Sequence, residues 1–136
     1  MLLAQDQKLK ISSSTKNLTI VEKLIEDVCD QMEVSKDHLG NILVAVSEAV
    51  NNAIQHGNQN NPEKEVKINF NANDDFLLFS IEDEGGGFDF TNLPDPTLPE
   101  NIEKPNGRGI FLMKHLADSV DFSKSGKKVE LRFYLK

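Results

Sequence analysis

The sequence is poor in cysteine: Cys29 is the only one in 136 residues. A lone cysteine closes no intrachain disulfide, and no Cys/His set has zinc-ligand spacing, so neither kind of staple is available. A reducing compartment, the cytoplasm, is expected. No apolar run is long enough to span a bilayer. The N-terminus lacks the basic-then-apolar order of a signal peptide. A membrane is therefore not an expected partner. Positive charge is also short: 15 Lys and Arg against 22 Asp and Glu leave a formal net charge of -7. Acidic domains seldom hold polyphosphate backbones, which argues against nucleic acid. The composition that remains, 38% hydrophobic and 27% charged, is that of a soluble globular protein. The length suggests one domain, 1–136, able to bury a core unaided.

Residues 8–13 alternate and read as a short strand. Ser14 or Thr15 is placed to cap a helix through about residue 32, and Ser35 a second helix to about residue 56, ended by Gly57. Residues 64–72 and 75–83 alternate as two strands joined by the Asn73-Asp74-Asp75 turn. Residues 85–106 contain four of the five prolines and read as a long loop, the kind that often serves as a lid or binding segment. A third helix is expected over about 108–118. Two closing strands follow, near 119–123 and 128–135, joined by Lys124-Ser125-Gly126. The order β, α, α, β, β, loop, α, β, β predicts an α+β fold. It is a two-layer sandwich with an antiparallel or mixed sheet and helices on one face.

The second helix has two covered sides. Leu39, Ile42, Leu43, Val46, Val50, Ala53 and Ile54 form one stripe, expected to pack on the sheet. The opposite side carries Val44, Ala45, Glu48, Ala49, Asn52 and His56, small and apolar residues around one carboxylate and one amide. Glu48 and Asn52 are four apart and stack one above the other. This side is expected to line a pocket. The pair suits a magnesium-phosphate site. Magnesium takes hard oxygen ligands and keeps waters, so one amide oxygen plus ligand phosphates suffices. Glu48 is placed to accept a proton from an attacking hydroxyl or water. Glu-xxx-Asn is common, however, and from this helix alone a capped surface helix with a buried His56 is the simpler reading.

Two glycine-rich segments stand on either side of the long loop. In Ile81-Glu82-Asp83-Glu84-Gly85-Gly86-Gly87, Asp83 ends a strand as a fixed acceptor, suited to the exocyclic amine of adenine. Gly85 and Gly87 let a flat base approach the backbone; a plain strand-to-loop turn explains the segment equally well. In Asn106-Gly107-Arg108-Gly109-Ile110, glycines open a helix, where free N–H groups bind phosphate. Arg108 suits a phosphate contact or an anchor for the loop, and a flexible helix start is the alternative. Neither a P-loop nor a full dinucleotide fingerprint is present. Each signal is weak separately; their order and spacing together are not.

Taken together, these segments resemble the GHKL ATPases (gyrase, the heat-shock chaperone, histidine kinases, MutL). Glu48-Ala49-Val50-Asn51-Asn52-Ala53-Ile54-Gln55-His56-Gly57 looks like their N box. Asp83-Glu84-Gly85-Gly86-Gly87 resembles the G1 box and Gly107-Arg108-Gly109-Ile110 the G2 box. The resemblance covers nearly the whole chain and implies the Bergerat fold. Within the superfamily, Val46-Ser47-Glu48-Ala49-Val50 with Asn52-Ala53 and His56-Gly57 is similar to the bacterial anti-sigma-factor serine kinases. That resemblance implies Glu48 as general base, Asn52 as magnesium ligand, Asp83 as the adenine acceptor and the loop over 88–106 as an ATP lid. His56 is placed near the nucleotide by resemblance alone, and Gly85, Gly87, Gly107, Arg108 and Gly109 are the remaining nucleotide-binding candidates. It further implies ATP and Mg2+ as cofactors, a homodimer, a STAS-fold anti-anti-sigma protein as substrate and, in many members, a bound sigma factor. The chain departs from the family at Lys127, where threonine usually follows the glycine, and at Gly86, where a bulkier residue is frequent. The first change removes a hydroxyl at the nucleotide and supplies an ammonium that could reach a phosphate instead.

Only one strand and one helix precede the Glu48 segment, and His38, His56 and His115 show no phosphoacceptor context. Any acceptor is then expected on another protein. A serine kinase acting in trans is the first expectation. The alternatives are a nucleotide-gated anti-sigma binding module with little turnover and a detached histidine-kinase catalytic domain. Cys29 is expected to be inert core.

Overall fold

A computed structural model describes residues 5–73, 75–85 and 105–135. Among the described residues, five strands form one sheet: β1 (Gln5–Ser12), β2 (Glu65–Ala72), β3 (Phe76–Glu82), β4 (Ser119–Ser123) and β5 (Lys128–Tyr134). Every pairing is antiparallel, and the order is β1-β2-β3-β5-β4. The α-helices among the described residues are α1 (Leu18–Gln31), α2 (Lys36–Asn52) and α3 (Pro105–Leu116). The expected two-layer sandwich forms, and of the sheets that the element order allows it is the antiparallel one. Among the described residues, no helix is long and apolar enough to cross a membrane.

Strand alternation decides the core. In β2, Val66, Ile68, Phe70 and Ala72 are buried and their neighbours exposed. The register sets Phe70 opposite Phe79 and Ile68 opposite Ile81, and β5 adds Val129, Leu131 and Phe133 on the same face. Phe79 is the hub of this face. Its ring lies 5.3 Å from that of Phe70 and 6.0 Å, edge-on, from that of Phe133, in the offset arrangements aromatic rings prefer. Val21, Ile25 and Val28 of α1 and Ile42, Val46 and Val50 of α2 complete the core.

Helix ends differ from expectation where other hydrogen bonds intervene. Ser35 caps α2 as its position predicts, its hydroxyl accepting from His38 N at 3.2 Å. Neither Ser14 nor Thr15 caps α1. A 3-10 turn over Thr15–Asn17 comes first, and Asn17 spends its amide on Ser12 O at 3.0 Å. Nor does α2 run on to Gly57 as an α-helix: it ends at Asn52 and widens into a single π-turn, Ala53–Gly57. α3 begins at Pro105, earlier than expected, and so takes the last two residues assigned to the long loop. Proline suits a first helical position, where its missing N–H costs no bond.

Candidate functional site

The site begins on the side of α2 that faces α3. Ala45, Ala49 and Ala53 are buried there, and their short side chains let α3 approach. Val44, expected on this side, is 42% exposed and lies outside the cleft. The approach is closest at Gly109. A Cβ on Gly109 would stand 2.9 Å from Glu48 Oε2 and 3.7 Å from Asn52 Oδ1. The start of α3 therefore lies against the carboxyl and amide that sit one turn apart on α2. Gly107 and Arg108 belong to the first turn of the same helix.

The second part of the site is the end of β3. Asp83 N donates to Lys127 O at 2.9 Å, and Asp83 Oδ1 accepts from Gly85 N at 2.8 Å. The side chain is held between the end of α2 and its own turn. A Cβ at Gly57 would overlap the Asp83 carboxyl, and one at Gly85 would fall on the carbonyl oxygen of Gly57. Glycine at both positions is a steric requirement of this contact. Burial pushes the Asp83 carboxyl above the ordinary carboxylate range; the Gly85 N–H and the Lys127 charge oppose that shift.

A buried amide fastens this corner. Asn58 is 1% exposed. Its Nδ2 donates to Ser13 Oγ at 2.8 Å and to Glu65 O at 3.1 Å, while its Oδ1 accepts from Glu84 N at 2.8 Å. Ser13 Oγ in turn donates to Lys64 O at 2.7 Å. The π-turn delivers Asn58 to this position, closed by Asn58 N donating to Ala53 O at 2.8 Å. Sequence reasoning missed Asn58 and Ser13. The only local signal is the cluster Gly57-Asn58-Gln59-Asn60-Asn61, which by itself marks a turn.

Between these parts lies an open cleft bounded by α2, α3, the end of β3 and the turn before β5. Asn52, His56 and Asp83 supply polar groups, and Ile81, Ile110, Met113 and Val129 form an apolar wall. Lys127 and Gly126 close the Asp83 end. Ala53, assigned by its spacing to the sheet-facing stripe, also lines the cleft, four residues after Ala49 on the same side of the helix. Glu48 is not in the cleft wall itself but adjoins it at Gly109. The segment 88–106, Gly86 and Gly87 fall outside the described residues, except that 105 and 106 open α3.

The chemistry available is specific. An apolar slot ending in a buried carboxylate suits a flat heterocycle bearing an amine. Among the described residues, no three His, Cys, Asp or Glu side chains are grouped to hold a metal. A divalent cation at Asn52 would take the amide oxygen as one ligand and its other ligands from phosphate and water, a set magnesium accepts.

Known proteins resemble this chain in sequence and in fold. A family model for histidine kinase-like ATPase domains matches residues 11–133. The chain is 31% identical to a serine-protein kinase RsbW of Bacillus velezensis, an alignment covering 94% of this chain and 84% of that one. It is 30% identical to the RsbW of Bacillus subtilis over the same shares, and 29% identical to that of Oceanobacillus iheyensis over 83% of this chain and 75% of the relative. Among solved structures, the RsbU and RsbW domains of Rv1364c from Mycobacterium tuberculosis superpose with a TM-score of 0.66 at 12% identity. That match covers 97% of this chain and about a third (32%) of the longer one, and it bears on the fold alone.

Proposed function

The chain belongs to the histidine kinase-like ATPase domain family, and from that membership we propose that it is an ATP-dependent serine protein kinase of a bacterial partner-switching system. It transfers the γ-phosphate of ATP to a serine of a STAS-fold anti-anti-sigma protein, and it also binds a sigma factor. It acts as a single-domain homodimer in the cytoplasm. The names of its relatives support the serine kinase activity. The observation that carries the reading is the cleft with Asn52 and Asp83 in its wall and Glu48 beside the start of α3.

In this reading Asp83 accepts from the exocyclic amine of adenine, and Gly85 leaves room for the base. Asn52 is the protein ligand of magnesium, which, when bound, neutralises phosphate charge. His56 lies along the nucleotide. Gly87, Gly107, Arg108 and Gly109 belong to the segments that enclose the phosphates. Glu48 accepts the proton of the serine hydroxyl as it attacks. Positioning supplies most of the catalysis in phosphoryl transfer, so the fixed relation of Glu48, Gly109 and Asn52 is the part of the site that matters for rate.

The test is mass spectrometry of candidate STAS-domain proteins after incubation with this protein and Mg-ATP. A single phosphoserine on the partner is the expected result. An unmodified partner together with recovery of a bound sigma factor would instead identify a nucleotide-gated binding module. Acid-labile phosphohistidine would identify a histidine-kinase catalytic domain.

A further inference from the structure

Gly40 sits inside α2, and nothing among the described residues explains it. Glycine weakens a helix interior relative to alanine, so a reason for it is expected. Backbone conformation is not that reason: among the described glycines only Gly126 has a positive φ. Packing within the chain is not the reason either. A Cβ at Gly40 would meet nothing within 4 Å, whereas one at Gly57, Gly85 or Gly109 would be crowded. Val44 stands one turn further on and is 42% exposed, and Glu48 follows one turn after that. Residues four apart share a helix face, so Gly40, Val44 and Glu48 form one stripe roughly 12 Å long. Asn41 is exposed beside it. Between Asp37 and Glu48 the helix carries no Asp, Glu, Lys or Arg. A helix face left to water is normally charged, whereas the centre of a protein interface is depleted of charge.

We propose that this stripe is the docking face for the protein that carries the acceptor serine, an inference that rests on the kinase reading above. A hydroxyl that gives its proton to Glu48 must come from a protein lying against the surface around that carboxylate. Gly40 and Val44 are the part of that surface which α2 leaves open. A sigma factor or a second copy of this chain has no need to reach Glu48, so the stripe fits the phosphoacceptor among the partners proposed. The backbone of that partner passes over Gly40, where a side chain would hold it off. An apolar side chain near its serine covers Val44, and uncharged polar groups face Asn41. The segment beside the acceptor serine is therefore apolar and weakly charged.

The test is steady-state phosphorylation, at saturating Mg-ATP, of the STAS-domain protein that wild type modifies, by Gly40→Gln and Val44→Ala. Both substitutions introduce better helix formers, so both variants are expected to melt no lower than wild type. Gly40→Gln is expected to raise KM for the protein substrate roughly tenfold or more, the scale of a lost hot-spot contact. Val44→Ala is expected to raise it roughly fourfold, the worth of a buried methyl group. In both, kcat and ATP affinity are expected to stay within about twofold of wild type, the pattern of a lost binding contact. A protein-substrate KM unchanged in Gly40→Gln would overturn the proposal, and so would a fall in kcat or in ATP affinity that accounts for the loss. Sigma-factor retention or dimerisation lost while KM is unchanged would give the stripe to that partner instead. A wild type that phosphorylates no STAS-domain protein would sink the kinase reading and this inference with it.

Discussion

Gly57 and Asp83 are packed so closely that the hydrogen on the Gly57 Cα is the largest substituent the Asp83 carboxyl tolerates. The contact joins the end of α2 to the end of β3, the two elements that bring Asn52 and Asp83 into one cleft. A methyl group at 57 cannot be relieved by a rotamer change, because Asp83 is short, bonded to Gly85 N and tied through its backbone to Lys127. Gly57→Ala is expected to cost roughly 1–3 kcal/mol, the range for overpacking, and to lower ATP affinity. Gly40 is the matching control. It lies inside α2, and a Cβ there would meet nothing within 4 Å, so Gly40→Ala is expected to stabilise by about 0.5–1 kcal/mol. Urea melts of the two variants decide it; Gly57→Ala as stable as wild type would show that the contact is loose.

Asn58→Ala tests the buried amide. The substitution leaves Glu84 N and Ser13 Oγ without the partners that Asn58 provides. Orphaned buried groups cost about 1–3 kcal/mol each, so a loss of roughly 2–4 kcal/mol is expected. Because Glu84 follows Asp83, nucleotide affinity should fall as well. A variant that loses stability yet binds ATP unchanged would show that Asn58 holds the fold and not the site.

Much of the fold was legible because strand alternation and helix spacing report burial directly. Phe70, Phe79 and Phe133 sit at alternating positions in three strands and meet as their register requires. Ser35 capped its helix because that bond is local. The π-turn at Ala53–Gly57 was not legible, since it is closed by Asn58, whose partner Ser13 is 45 residues away. The start of α1 failed for a different, local reason: Asn17 bonds back to Ser12, five residues earlier, rather than to its own helix. In the site, Asn52 and Asp83 could be named from residue type and spacing. By residue type and spacing Gly57 read as a helix stop, because a steric contact with a residue far along the chain, Asp83, leaves no mark in the sequence.

Acidity should act on Asp83 in an unusual direction. Burial raises its pKa, with Glu82 adding to the rise and the Gly85 N–H, Lys127 and Lys64 opposing it. The folded protein therefore holds the proton more tightly than the unfolded chain. Through the window from the folded pKa down to the ordinary carboxylate value, about 4, this group's contribution to stability rises as pH falls. ATP binding moves the other way, because the adenine amine needs an ionised acceptor. Affinity is expected to decline on acidification at a pH above the usual carboxylate range, and Asp83→Asn should remove that decline. Titrations of both proteins from neutral pH down to the ordinary carboxylate value, about 4, check the sign. A wild-type affinity as flat as that of the variant would remove Asp83 from the base site.

Glu48 separates binding from chemistry. It adjoins Gly109 rather than the cleft wall, so a neutral isostere should leave the nucleotide's place intact. Glu48→Gln keeps the shape and removes only the capacity to take a proton. General-base assistance is worth about 10²–10⁴-fold in rate, and phosphorylation of the partner serine should fall by that order while ATP affinity stays within about twofold, below the worth of one hydrogen bond. Single-turnover transfer from γ-labelled ATP measures the first quantity and calorimetry the second. If transfer persists at the wild-type rate, the serine hydroxyl loses its proton elsewhere and Glu48 serves to seat α3. If transfer and affinity fall together, Glu48 belongs to the binding of the nucleotide.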